Sequence, residues 1–159
     1  MSHDEPIILT LASESDTDRL GRVIAEVVQP NQVIGLVGPL GAGKTRLSRA
    51  IAEASGVAPE VISSPTFVLI NEYIGNRPVY HFDAYRLADA DDFDALGAPE
   101  YFEAGGICLV EWADLVLDRL PTDAWLITIE PAGAATRKIT VEGSNLDPLR
   151  DAIRTTLGG

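Results

Sequence analysis

Lysine is scarce in this chain: only Lys44 and Lys138 occur in 159 residues. The 12 Lys+Arg face 24 Asp+Glu, a formal net charge of −12. A field that acidic opposes general attraction to bare nucleic acid or to an anionic membrane surface. Cysteine is scarcer still. The single Cys108 excludes an intramolecular disulfide framework and suits a reducing compartment. No apolar run approaches the ~20 residues that span a bilayer, and the polar, acidic opening does not have the form of a signal peptide. Repeats and low-complexity tracts are absent, which argues against a repeat array. Together these absences point to a cytoplasmic protein that works away from membranes.

What is present is ordinary globular composition, 46% hydrophobic and 23% charged, so wholesale disorder is excluded. A chain of 159 residues suits one domain and can bury about 70% of its unfolded surface. No linker divides it, so 1–159 reads as a single domain with residues 1–6 as a flexible tail.

Periodicity places the elements. Residues 7–11 read as a strand, followed by the cap candidates Ser13, Ser15 and Asp16 and an amphipathic helix carrying Leu20, Ile24, Val27 and Val28. An apolar strand over 32–37 runs into Gly38, and 44–55 reads as a helix with Gly56 just past its end. Strands are predicted over 66–74 and 79–83 around a Gly75-Asn76-Arg77-Pro78 turn. Residues 89–102 look helical but broken by Gly97 and Pro99, and 107–111 is a continuous apolar run ending in a carboxylate, as in a doubly buried parallel strand. A short helix at 115–120, a hairpin from 125–130 and 138–142, and a closing helix at 147–157 complete the pattern. The expected fold class is α/β: a P-loop NTPase-like three-layer domain with a mixed, mainly parallel sheet.

The strongest chemical signal is Gly38-Pro39-Leu40-Gly41-Ala42-Gly43-Lys44-Thr45, which fits G-x-x-x-x-G-K-[ST] between a strand and a helix. Glycines let several backbone N–H groups converge on one anion, and the helix adds its positive end. Lys44 can reach β and γ phosphates, and the Thr45 hydroxyl can ligate Mg²⁺. No N-K-x-D signature follows, so ATP is favoured over GTP. Such a loop needs acidic partners, and two strand ends offer them: Asp83 after Val79-Tyr80-His81-Phe82, and Glu111 after Ile107-Cys108-Leu109-Val110. Cys108 reads as a core thiol and His81 as a structural hydrogen-bonding residue. Trp112 reads equally as a core edge or a partner-facing anchor. Arg86 and Arg137 fit either ordinary surface positions or compensation of phosphate charge.

Four blocks in order, Gly38 to Thr45, Ser64-Pro65-Thr66-Phe67, His81-Phe82-Asp83-Ala84-Tyr85-Arg86-Leu87 and Glu111-Trp112, resemble the TsaE family of bacterial ATPases. The resemblance runs from about residue 7 to about residue 142. It implies ADP/ATP binding by Gly38, Leu40, Gly41, Ala42, Gly43, Lys44 and Thr45, with Mg²⁺ held by Thr45 and Glu111. It further implies Asp83 near the γ-phosphate, Thr66 on a switch-like loop, and nucleotide contacts from Glu14 and Arg137. The family takes part in making threonylcarbamoyladenosine in tRNA. Its implied partners are the threonylcarbamoyl transferase and that enzyme's non-catalytic paralogue, with tRNA met only through the complex. Two departures stand out. Pro39 replaces the family's usual Asp and removes one N–H, and Ala84 replaces a Leu. Two other readings share the motif: a small-molecule kinase, and a non-catalytic regulator that senses ATP:ADP. The ten arginines are scattered along the chain without the cluster a kinase lid would need.

Overall fold

Alternation along the strands decides how the layers assemble, because successive side chains point to opposite faces of a sheet. The computed structural model describes residues 4–62, 70–87 and 89–157. Seven strands form one sheet: β1 (Ile7–Leu11), β2 (Val33–Val37), β3 (Ile70–Ile74), β4 (Pro78–Asp83), β5 (Ile107–Glu111), β6 (Trp125–Pro131) and β7 (Arg137–Glu142). Their order is β1-β7-β6-β2-β5-β4-β3. The central row β6-β2-β5-β4 is parallel throughout, and β3 and β7 run against it.

Helices cover both faces. On one, α1 (Glu14–Val27), α2 (Lys44–Ala54) and α5 (Asp147–Leu157) bury Leu20, Ile24, Leu47, Ile51, Leu149 and Ile153 against Ile34, Leu36, Ile107 and Leu109. On the other, α3 (Ala90–Ala95) and α4 (Ala98–Phe102) pack Phe93 and Phe102 on Phe82, Cys108 and Val110. The three layers and the mixed sheet match the expected fold class. Strand β5 is buried along its whole length, as its continuous apolar run requires.

Local signals explain most boundaries. The Ser13 side chain accepts from the Asp16 N–H at the start of α1. Gly97, with φ 84°, separates α3 from α4, and Pro99 lies in the first turn of α4, where a missing N–H costs nothing. The expected helix over 115–120 is instead two 3-10 turns, Ala113–Leu115 and Leu117–Arg119. Val116 lies between them with φ −135° and drops into the core at 1% exposure, which interrupts the helix. Of the expected strand over 66–74, only β3 falls within the described residues. The expected tail is tied down from Asp4 onward: its N–H donates to the Gly143 carbonyl, and its carboxylate accepts from the Leu146 N–H just before α5. Among the described residues, no helix is long and apolar enough to cross a membrane.

Candidate functional site

Three adjacent parallel strands deliver the site. Register puts Leu36 of β2 beside Glu111 of β5, and Glu111 beside Asp83 of β4. All three residues have the parity of the α2 face, so the carboxyl ends of the strands present Glu111 and Asp83 alongside the loop that leaves β2. Ligands of open α/β sheets bind at such strand ends.

The loop itself is shaped for an anion. Gly41 and Gly43 have φ of 79° and 113°, and a Cβ at either would meet nothing within 4 Å, so both border open space. Gly38 differs: a Cβ there would lie 2.5 Å from the Ile129 carbonyl oxygen, so packing against β6 demands the glycine. Gly43 caps α2 without a side-chain hydrogen bond. The first-turn N–H groups have no intrahelical acceptors and face outward with the helix dipole. Ala42 is buried beneath the loop and Leu40 is exposed at its tip. The proline at position 39 leaves the turn intact, since its carbonyl accepts from the Ala42 N–H.

Lys44 is buried and tied to the loop. Its Nζ donates to the carbonyls of Gly38 at 2.6 Å and Pro39 at 2.9 Å and lies 3.9 Å from the centre of the Trp112 ring. Burial lowers the pKa of the ammonium, against the upward pull of Glu111, Asp114 and Asp83. Trp112 adopts φ 61°, an uncommon conformation for a bulky residue, directly after β5. Its ring also stacks on Tyr85, with centroids 4.7 Å apart. A tryptophan that the sequence left between core edge and partner anchor therefore forms a wall against the loop lysine.

Glu111 holds the acidic end. The Thr45 hydroxyl donates to its Oε1 at 2.9 Å, and His81 Nε2 lies 2.5 Å from its Oε2. Burial alone would raise the Glu111 carboxyl. The bond and charge of His81, the Thr45 hydroxyl and Lys44 outweigh it and leave the pKa below the ordinary value. An ionised carboxylate only accepts, so His81 carries its proton on Nε2. The hydrogen-bonding role expected of His81 is met, and its partner is the acidic residue of the site. Asp83 stands beside Glu111 and accepts from the Tyr85 N–H at 3.0 Å.

The remaining candidates divide. Arg137 Nε donates to the Ala42 carbonyl at 2.8 Å and braces the loop from β7. Glu14 forms an ion pair with Arg46 on the first turn of α2, where Asp18 pairs with the same arginine. Thr66 lies outside the described residues. Arginines scattered in sequence do meet in space: Arg22, Arg46 and Arg49 line a groove of about 410 Å³ between α1 and α2. Glu14, Asp18 and Glu53 pair with two of them there, so the groove is charge-balanced and is not a cationic lid. Cys108 is a core thiol, as expected, with its pKa pushed up to about 12 by burial.

A single carboxylate beside a hydroxyl suits Mg²⁺, which keeps several waters and leans on substrate phosphates for the rest of its shell. Among the described residues, no group of three or more His, Cys, Asp or Glu forms a self-sufficient metal cage. Thr45 and Glu111 therefore fit a phosphate-assisted Mg²⁺ site.

The chain is similar to known proteins over most of its length. The TsaE family model, described as "Threonylcarbamoyl adenosine biosynthesis protein TsaE", matches residues 11–139. The chain is 41% identical over 126 residues to the tRNA threonylcarbamoyladenosine biosynthesis protein TsaE of Bacillus subtilis, covering 79% of this chain and 78% of that protein. It is 38% identical to the protein of the same name from Treponema pallidum, covering 81% and 95% of the two. The crystal structure of Bacillus subtilis YdiB superposes with a TM-score of 0.77 and 32% identity, over 95% of this chain and 96% of that one. A match that spans the loop, both acidic strand ends and most of the sheet leaves one assignment: this chain belongs to the TsaE family.

Proposed function

We propose that this protein binds ATP with Mg²⁺, hydrolyses it, and thereby supports threonylcarbamoyl transfer to adenosine in tRNA by acting on the transferase complex. The observation that carries the nucleotide reading is the open cradle at Gly41 and Gly43, flanked by Lys44 and by the Thr45–Glu111 pair. The biosynthetic setting rests on the names of the relatives.

Each residue then has a task. Loop amides and the start of α2 receive the phosphates. Lys44 exchanges the Gly38 and Pro39 carbonyls for the β and γ phosphates, a charge-assisted contact. Thr45 and Glu111 hold Mg²⁺, which offsets phosphate charge. Asp83 orients the attacking water. The oxygen of that water forms a bond to the γ-phosphorus as the bond to the β,γ-bridging oxygen breaks; one water proton stays on the phosphate and the other passes by way of Asp83 to solvent, giving ADP and inorganic phosphate. Arg137 is already engaged with the Ala42 carbonyl and supports the loop from behind. The partners are the threonylcarbamoyl transferase and its non-catalytic paralogue, and ATP turnover resets their complex.

The test is phosphate release by the protein alone and with the transferase pair. The expected result is turnover below ~1 s⁻¹ alone, the floor of typical enzymes, and a clear rise with the pair. ATP binding with no phosphate in either arm would leave a nucleotide-sensing regulator. Label passing to a small acceptor would identify a kinase.

A further inference from the structure

Behind the Thr45–Glu111 contact lies a cavity of about 10 Å³, measured as the room open to a water molecule, lined in part by Thr45, Ser48, Tyr73, His81 and Leu109. That volume admits one water and little else. Ser48 Oγ and Tyr73 OH are both buried and have no hydrogen-bond partner among the described residues. Ser48 is 2% exposed and Tyr73 7%. Buried hydroxyls are nearly always satisfied, and two orphans on one small cavity point to a shared partner within it.

The fold explains why these groups converge. Thr45 and Ser48 are three residues apart on α2 and share a face. Tyr73 of β3 is paired with Val79 of β4, and His81 lies two residues farther along β4 on the same face. Such diagonal neighbours are ~7–8 Å apart at the backbone, within reach of long side chains. With Nε2 committed to Glu111, Nδ1 is the ring nitrogen of His81 left for another partner.

We propose that this cavity is a binding site for one ordered water, held by Ser48, Tyr73 and His81. The two hydroxyls are thereby positioning residues for the His81–Glu111–Thr45 chain. A hydrogen bond at Nδ1 fixes the plane of the His81 ring, and with it the direction of the Nε2–Glu111 contact and the carboxylate oxygen that remains for Thr45. The water site stands on the cavity and the orphaned hydroxyls. Its effect on Mg²⁺ rests on the proposed function.

The experiment compares wild type, Ser48→Ala, Tyr73→Phe and the double variant, with a high-resolution crystal structure of the wild type. Unpartnered hydroxyls would make each variant melt at or above wild type, with additive shifts. A shared water makes each single variant melt lower, by about 2–4 °C for a loss typical of one hydrogen bond in a chain this size. The double variant then loses less than the sum, because either change releases the same water. The crystal structure should show a water within about 3.2 Å of both oxygens. Higher or additive melting, or no such water, overturns the site. By calorimetry, the gain in ATP affinity from Mg²⁺ should shrink roughly tenfold in the single variants, the low end for loss of an outer partner of a metal ligand. An unchanged Mg²⁺ response in the variants overturns the positioning role. If wild type itself binds no ATP, the nucleotide reading fails, while melting and crystallography still decide the water site.

Discussion

Among the described residues, Lys44 has two neutral carbonyls and an aromatic face for company, and no carboxylate within hydrogen-bonding distance. None of these contacts matches a phosphate for strength, so the ammonium is held in place yet remains exchangeable. A charge-assisted bond contributes ~1.5–3 kcal/mol, which corresponds to roughly ten- to 150-fold in affinity. Lys44→Ala should therefore weaken ATP binding at least tenfold by calorimetry and leave the fold intact by circular dichroism. Equal affinities would remove the loop from the nucleotide site. The two carboxylates should separate by role. Glu111 bonds to Thr45 and is buried, so Glu111→Ala should blunt the response of binding to Mg²⁺. Asp83 bonds to backbone at the next turn and sits one strand farther from Thr45, so Asp83→Ala should spare binding and reduce turnover. The opposite pattern would exchange the two assignments.

At the scale of elements, α2 carries the loop and must be held at a fixed distance from the sheet and from α1. The closest approach is at Gly21, where a Cβ would lie 2.4 Å from the Ala50 Cβ and 3.0 Å from the Ala50 carbonyl carbon. Backbone rather than a flexible side-chain tip stands in the way. Alanine would gain up to ~1 kcal/mol of helix propensity in α1. Overpacking that moves a helix costs ~1–3 kcal/mol, and the contact here is severe enough for it to win. Gly21→Ala should lower the urea midpoint without changing the slope, and should weaken ATP binding as α2 shifts. A higher midpoint would mean that α1 and α2 can part without cost. The same distance control explains Arg137, which ties the loop to β7 on the other side through the Ala42 carbonyl.

For the whole molecule, charge bears on whether tRNA could be bound directly. A net charge of −12 repels a phosphate backbone. The groove between α1 and α2 where Arg22, Arg46 and Arg49 meet has its charge balanced by Glu14, Asp18 and Glu53. Direct contact with tRNA should accordingly be weak, and tRNA alone should leave ATP turnover unchanged. Filter binding at low and moderate salt, beside phosphate release with tRNA, the transferase pair and both, measures this. Tight, salt-sensitive binding with strong stimulation by tRNA alone would instead indicate an RNA-dependent ATPase.

Local chemistry made much of this legible before any coordinates. A loop motif is contiguous, so Gly38 to Thr45 could be read directly, and so could caps such as Ser13 and Gly56 and the doubly buried run of β5. Asp83 and Glu111 could be singled out because each ends an apolar strand, but their adjacency could not. It depends on β4, β5 and β2 being neighbours in register, a pairing of segments far apart in sequence. The roles of His81 and Trp112 are of the same kind. A histidine between two aromatic residues says nothing about a glutamate 30 residues away, and a tryptophan after a strand says nothing about a lysine in a distant loop. The helix expected over 115–120 gives way to 3-10 turns at Ala113–Leu115 and Leu117–Arg119, because the pull of Val116 into the core is a tertiary force. Sequence alone determined which chemistry the chain carries and the class of sheet that presents it. Which side chains share protons and charge was decided only by tertiary packing, because such contacts depend on distances of a few ångströms between strands that meet only when the sheet forms.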